Sequence, residues 1–133
     1  MRILFLSLLI MSSLFSCATE KSERKDFDKI FTDYNDMLRW HRFEDVRLFP
    51  DDTISEKYKK RLEMAKDVKV VDYRVINVTF DEKKKEAAIQ VELDYYTLSS
   101  PILRTVVDDQ KWVFTGEKDK RVWRLMSLLP EFP

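Results

Sequence analysis

The chain reads as an α+β protein in which N-terminal helices pack on one face of a twisted four-stranded antiparallel sheet. Two observations predict this. Apolar residues recur at helical spacing up to about Lys66, and at every second position from Val68 onward. The alternating runs after Val68 are joined by short polar turns, which suits successive antiparallel strands rather than βαβ crossovers.

The opening segment stands outside that fold. Arg2 precedes an apolar run from Ile3 to Leu14, which ends in Leu14-Phe15-Ser16-Cys17. A helix needs about 20 apolar residues to cross a bilayer, so the run is too short to span and fits a signal peptide instead. Leu14-Phe15-Ser16-Cys17 resembles the lipobox of bacterial lipoproteins. The resemblance implies cleavage before Cys17, diacylglycerol on its sulfur and an acyl chain such as palmitate on its amino group. A single chain binds a membrane only marginally, at about 0.8 kcal/mol per buried methylene, whereas two or three make a stable anchor. Residues 1–16 are then signal, 17–25 the lipidated cysteine with the polar tether Ala18–Lys25, and 26–133 the domain. Ala18, rather than aspartate, follows the cysteine. In the sorting rule of such lipoproteins this implies the outer membrane of the cell envelope, facing the periplasm.

From Asp26, the residues Phe27, Ile30, Phe31, Tyr34, Met37, Leu38 and His41 form one helical stripe. Trp40 lies off it and is expected against the next segment, which carries Phe43, Val46, Leu48 and Phe49 and stops at Pro50. Thr53-Ile54-Ser55-Glu56 has the pattern of a capping box, opening a helix with Tyr58, Leu62 and Ala65 on one face. Val68–Phe80 alternates as a strand whose phase slips between Val75 and Ile76, the mark of a bulge. Asp81–Lys85 is a turn, and Ala87, Ile89, Val91, Leu93 and Tyr95 form the buried side of a second strand. Ile102–Phe114 is the third strand, Thr115–Lys120 a turn with Gly116, and Arg121–Leu128 the fourth. Pro130 and Pro133 keep the tail out of any central strand.

This order of elements resembles the NTF2-like (cystatin-like) superfamily over about Asp26–Leu129. The carrying residues are Asp72-Tyr73-Arg74-Val75 at the entry to the sheet and the closing pair Lys111-Trp112-Val113-Phe114 and Val122-Trp123-Arg124-Leu125, joined through Gly116. The resemblance implies a cone-shaped sheet wrapped around the first helix, and says little of activity, because that fold hosts enzymes, binders and assembly parts alike.

Composition removes several chemistries. The chain holds 24 basic and 24 acidic residues, and Lys83-Lys84-Lys85 is flanked by Asp81, Glu82 and Glu86. Balanced, interspersed charge offers no electrostatic footprint for nucleic acid. One glycine excludes dinucleotide fingerprints and P-loops, and one histidine excludes the HExxH zinc pattern. With Cys17 as the anchor, the mature chain has no disulfide, thiol nucleophile or thiolate metal site. No cofactor and no metal are expected.

Two readings of function remain. The first is a membrane-anchored, non-catalytic module that binds a second copy of itself, an envelope protein or a small apolar ligand, with the bilayer as partner through acylated Cys17. Tyr34, His41, Asp45, Tyr95, Trp112 and Trp123 are the candidate pocket-lining residues. His41 also suits the end of the helix, where histidine favours the dipole, and Trp112 and Trp123 suit plain core. The second reading is a small cone-pocket enzyme using Asp, Tyr or His acid–base chemistry, for which Asp45, Asp94, Asp108, Tyr34, Tyr95 and His41 are available. No catalytic residue matches a family motif. An open cavity around a buried polar group would favour the enzyme or a ligand carrier, and a filled interior with exposed apolar patches the assembly module.

Overall fold

A computed structural model describes residues 2–133, with side chains from Lys21 onward. The signal segment and Cys17 therefore lie outside the residues whose side chains are described. Helix α1 (Arg2–Arg39) is followed by the short α2 (Phe43–Val46) and by α3 (Ser55–Met64). Four strands complete the order: β1 (Val68–Asp81), β2 (Glu86–Thr97), β3 (Ser100–Thr115) and β4 (Val122–Leu125), with a 3-10 turn at Lys118–Lys120. They form one antiparallel sheet in the order β1-β2-β3-β4. The α+β class and the strand order agree with the sequence reading.

The sheet has an inner and an outer face because β2 alternates strictly. Ala87, Ile89, Val91, Leu93 and Tyr95 are buried, and the intervening residues face out. Against the inner face lies the stripe of α1, with Phe27, Tyr34 and Leu38 buried and Ile30, Phe31 and Met37 partly so. Phe27 meets Trp123 with ring centroids 5.0 Å apart, and Tyr34 stands edge-on to Trp112 at 5.4 Å. Helix α3 adds Tyr58 and Leu62 to the same core.

Several local expectations are corrected. The stretch read as a tether is already helical from Lys21 and packs on the sheet. The Glu23 carboxylate pairs with Lys85, the Glu23 carbonyl accepts from Trp123 Nε1 at 3.1 Å, and Arg24 lies over Phe80. A polar stretch can extend a helix when its side chains find partners across the fold. The expected capping box does not form. Thr53 instead donates its N–H and hydroxyl to Asp51, making an Asx turn ahead of α3. The β1 bulge expected near Val75 is present, and a second register shift lies between Val70 and Asp72. β4 stops at Leu125, three residues short of the expected end. Its outer side is closed by Phe49–Asp51, through Leu125 N–H to Phe49 O and Asp51 N–H to Leu125 O.

Candidate functional site

Asn35, Asp108 and Gln110 are the buried polar residues of the described core, each at most 2% exposed. Register brings them together. Asp108, Gln110 and Trp112 share the inner phase of β3, opposite Val91, Ile89 and Ala87, while Asn35 sits on α1 beside Tyr34. Gln110 Nε2 donates to Asn35 Oδ1 at 2.9 Å and to Asp108 Oδ2 at 2.8 Å. Its Oε1 accepts from Trp112 Nε1 at 3.2 Å, and Asn35 Nδ2 donates to the Phe31 carbonyl at 2.9 Å. Both ends of the Gln110 amide are thus used, and the cluster ties the first helix to the third strand.

Beside it, the Tyr34 and Tyr58 hydroxyls share a hydrogen bond of 2.6 Å. Burial raises the pKa of both tyrosines, with the charge of Asp108 adding to the effect, so they remain protonated at any physiological pH. Burial also pushes the Asp108 carboxyl up to about 7, against the lowering effect of the Gln110 hydrogen bond and with a further push from neighbouring Asp109. A carboxyl held there can carry or release a proton near neutrality.

The six candidate pocket residues do not converge. Tyr34 and Trp112 belong to the buried cluster. Tyr95 is buried on β2, where its ring meets Phe132 and its hydroxyl donates to a main-chain oxygen of Pro133, pinning the C-terminal tail. Trp123 and Asp45 contribute to an open groove of about 340 Å³ between α1, α2 and β4, floored by Ile30, Met37 and Phe49. Asp45 pairs there with Arg42 at 2.6 Å.

His41 does not continue the α1 stripe. It takes the left-handed conformation (φ 56°) just past the helix, with Arg42 N–H bonded to Met37 O and His41 N–H to Leu38 O. This is the Schellman closure, in a position that usually takes glycine. The ring lies tilted against that of Phe43, its Nδ1 is buried without a hydrogen bond, and burial with nearby Lys69 lowers its pKa. Trp40, expected to be covered, is 70% exposed with the Arg39 guanidinium over its ring.

Asp94 belongs to a different polar cluster on the outer face. Arg74 reaches Asp94 at 2.6 Å and Glu92 at 2.9 Å, and Thr105 Oγ1 donates to Asp94 at 2.7 Å. The Arg74 guanidinium, helped by Thr105, holds the Asp94 carboxyl down at about 2. Sequence reasoning missed Asn35, Gln110 and Tyr58 as parts of a polar site. The available signal was phase: Asp108 and Gln110 sit four and two residues before Trp112, on its face of the strand.

Among the described residues, no group of three or more His, Cys, Asp or Glu side chains could hold a metal, and no helix is long and apolar enough to cross a membrane. The fold and cluster together define an α+β domain whose first helix is bolted to its sheet by a buried polar network. Compared with protein-family models, curated proteins and solved structures, the chain matches none of them.

Proposed function

We propose that this chain is a bacterial lipoprotein held at the envelope membrane by acyl chains on Cys17, whose NTF2-like domain serves as a non-catalytic binding or assembly module. The observation that carries this reading is the filled inner face. Phe27, Tyr34 and Trp112 occupy the space where a cone-pocket enzyme would admit its substrate, and the polar groups of Asn35 and Gln110 are bonded to one another. Large apolar side chains are instead exposed at the sheet margins, with Ile102 at 64% and Leu103 at 61%. Exposed apolar surface of this kind marks interaction sites. The groove beside Trp123 offers an apolar floor with the Arg42–Asp45 pair at its rim, which suits a small apolar ligand.

The acid–base reading retains one observation in its favour, the Asp108 carboxyl beside the Tyr34–Tyr58 pair. It requires α1 to open away from the sheet to admit a substrate.

Affinity purification of the acylated protein from its native membrane, followed by mass spectrometry, separates these readings. A stoichiometric protein, including a second copy, supports the module. A retained small molecule with no protein partner turns the assignment to carriage or catalysis. For the anchor, Cys17→Ser abolishes incorporation of labelled palmitate and leaves the signal uncleaved, because removal of the signal depends on the lipidated sulfur. A variant that is still labelled and processed like the parent refutes the lipoprotein assignment.

A further inference from the structure

The two margins of the sheet differ in how they are closed. β1 forms one margin, and its ladder is broken by register shifts at Val70/Asp72 and Val75/Asn77. Such bulges blunt an edge against further pairing. β3 is paired with β4 only over Trp112–Thr115. Next to that, Lys111 O accepts Met126 N–H at 2.7 Å and Lys111 N–H donates to Ser127 Oγ at 3.0 Å. The tail then turns under the sheet, where Leu129 is buried and Pro133 is held by Tyr95 and Arg104. Among the described residues, no strand lies beside the outer side of β3 from Pro101 to Asp109.

The phase of that free edge follows from Lys111, whose main-chain groups point outward. The β2–β3 register runs without a shift from Glu86↔Val113 to Tyr95↔Arg104, so the two-residue period carries through. Leu103, Thr105, Val107 and Asp109 therefore present their N–H and C=O groups outward. Leu103 and Val107 are 61% and 44% exposed.

We propose that this edge pairs with the same edge of a second copy of the chain, antiparallel and centred on Thr105, to make one continuous sheet from the two four-stranded ones. This names the partner for the binding-module reading and rests on it. The edge is self-complementary in that register. Leu103 faces Val107 of the partner subunit on each side of a Thr105 pair, combinations that stabilise antiparallel ladders. Asp109 falls opposite the partner's Pro101, so no like charges meet, and Pro101, lacking an N–H, ends the ladder. Glu23, on α1, contacts Lys85 at the far end of β2 from the β2–β3 turn, so the antiparallel pair sends its two α1 N-termini out at opposite ends.

The interface is a short ladder, so affinity in solution is modest, and anchoring in one membrane raises the effective concentration. The mature chain, residues 17–133 carrying Cys17→Ser, free of the apolar signal, of acylation and of other thiols, is the material for the test. Sedimentation equilibrium gives a concentration-dependent dimer by about 0.1 mM. With Thr105→Cys added, mild oxidation joins two chains through identical residues, because facing positions in an antiparallel ladder lie about 5.5 Å apart at Cα. Val107→Pro removes an outward N–H that no strand of the monomer uses and weakens the dimer about tenfold or more, with the circular dichroism spectrum unchanged. If the proline variant misfolds, Val107→Lys, an exposed substitution facing the partner's Leu103, gives the same loss. A protein still monomeric at about 0.5 mM overturns the proposal. So does a dimer that Thr105→Cys cannot cross-link, or one that both Val107 variants leave intact. A monomer that still captures a stoichiometric foreign protein from the membrane overturns self-pairing while leaving the binding-module reading in place.

Discussion

Strands β2 and β3 carry one polar cluster on each face, and the two are built alike from a carboxylate and its donors. Inside, Asp108 meets Gln110, which also holds Asn35 and Trp112. Outside, Asp94 meets Arg74 and Thr105, with Glu92 alongside. The same hydrogen bonds have different consequences because water competes for only one set. The inner carboxyl is raised to about 7 by burial, whereas the outer one is lowered to about 2 by its arginine. In the inner cluster, removing one member strands the others without water to replace it. In the outer one, solvent fills the vacancy.

The comparison breaks most sharply at Gln110. Gln110→Ala leaves the Trp112 N–H, the Asn35 carbonyl and the Asp108 carboxyl without their shared partner and opens a small void between α1 and β3. The expected loss is about 2–4 kcal/mol of unfolding free energy, read from urea denaturation. A loss below about 0.5 kcal/mol would show that the inner cluster is as replaceable as the outer one.

Asp108 sharpens the contrast through pH. Its folded-state pKa is about 7 against an ordinary value of 3.8. Between those values the folded chain holds a proton that the unfolded chain has released, so stability contributed by this group falls as pH rises from about 4 to 7. Above that window the contribution is flat. A tenfold change in proton affinity is worth about 1.4 kcal/mol, so the whole effect is a few kcal/mol at most. Asp108→Asn keeps an acceptor for Gln110 Nε2 and removes the titration. The variant should gain on the parent steadily from pH 4 to pH 7, with equal parent and variant slopes counting against the assignment.

How much of this was legible in the sequence divides along the same line. The stripe of α1, the alternation of β2 and the bulge near Val75 follow from side-chain period, because burial on one face leaves a periodic trace. The inner cluster was legible in outline only: Asp108 stood among the available carboxylates, yet its link to Asn35 spans the fold and depends on how α1 lies across β3. Period does not carry that information. His41 fits the helical stripe by spacing, but the chain has to turn there to lay α2 back against α1, and it does so without the glycine that normally signals a helix end. The proposed acylation of Cys17 is an expectation from a local motif alone. β4 is shorter than its sequence suggests because Phe49–Asp51, distant along the chain, takes over its pairing at Leu125.

The smallest expected effect falls on the outer cluster. Arg74 is exposed, and its ion pairs with Glu92 and Asp94 compete with water and salt. Arg74→Ala should therefore change the melting temperature by no more than about 2 °C. Part of even that change should disappear in high salt, since screening weakens the parent's own pairs. Asp94 loses the group that holds its pKa down, so its carboxyl titrates at a higher pH in the variant, which NMR of the side-chain carbon reads directly. Thr105 still donates to Asp94, which keeps the middle of the β3 edge in place. A drop in melting temperature comparable to that of Gln110→Ala would mean that Arg74 locks β1 to β2 in a way its exposure conceals, and the division between the two faces would fail.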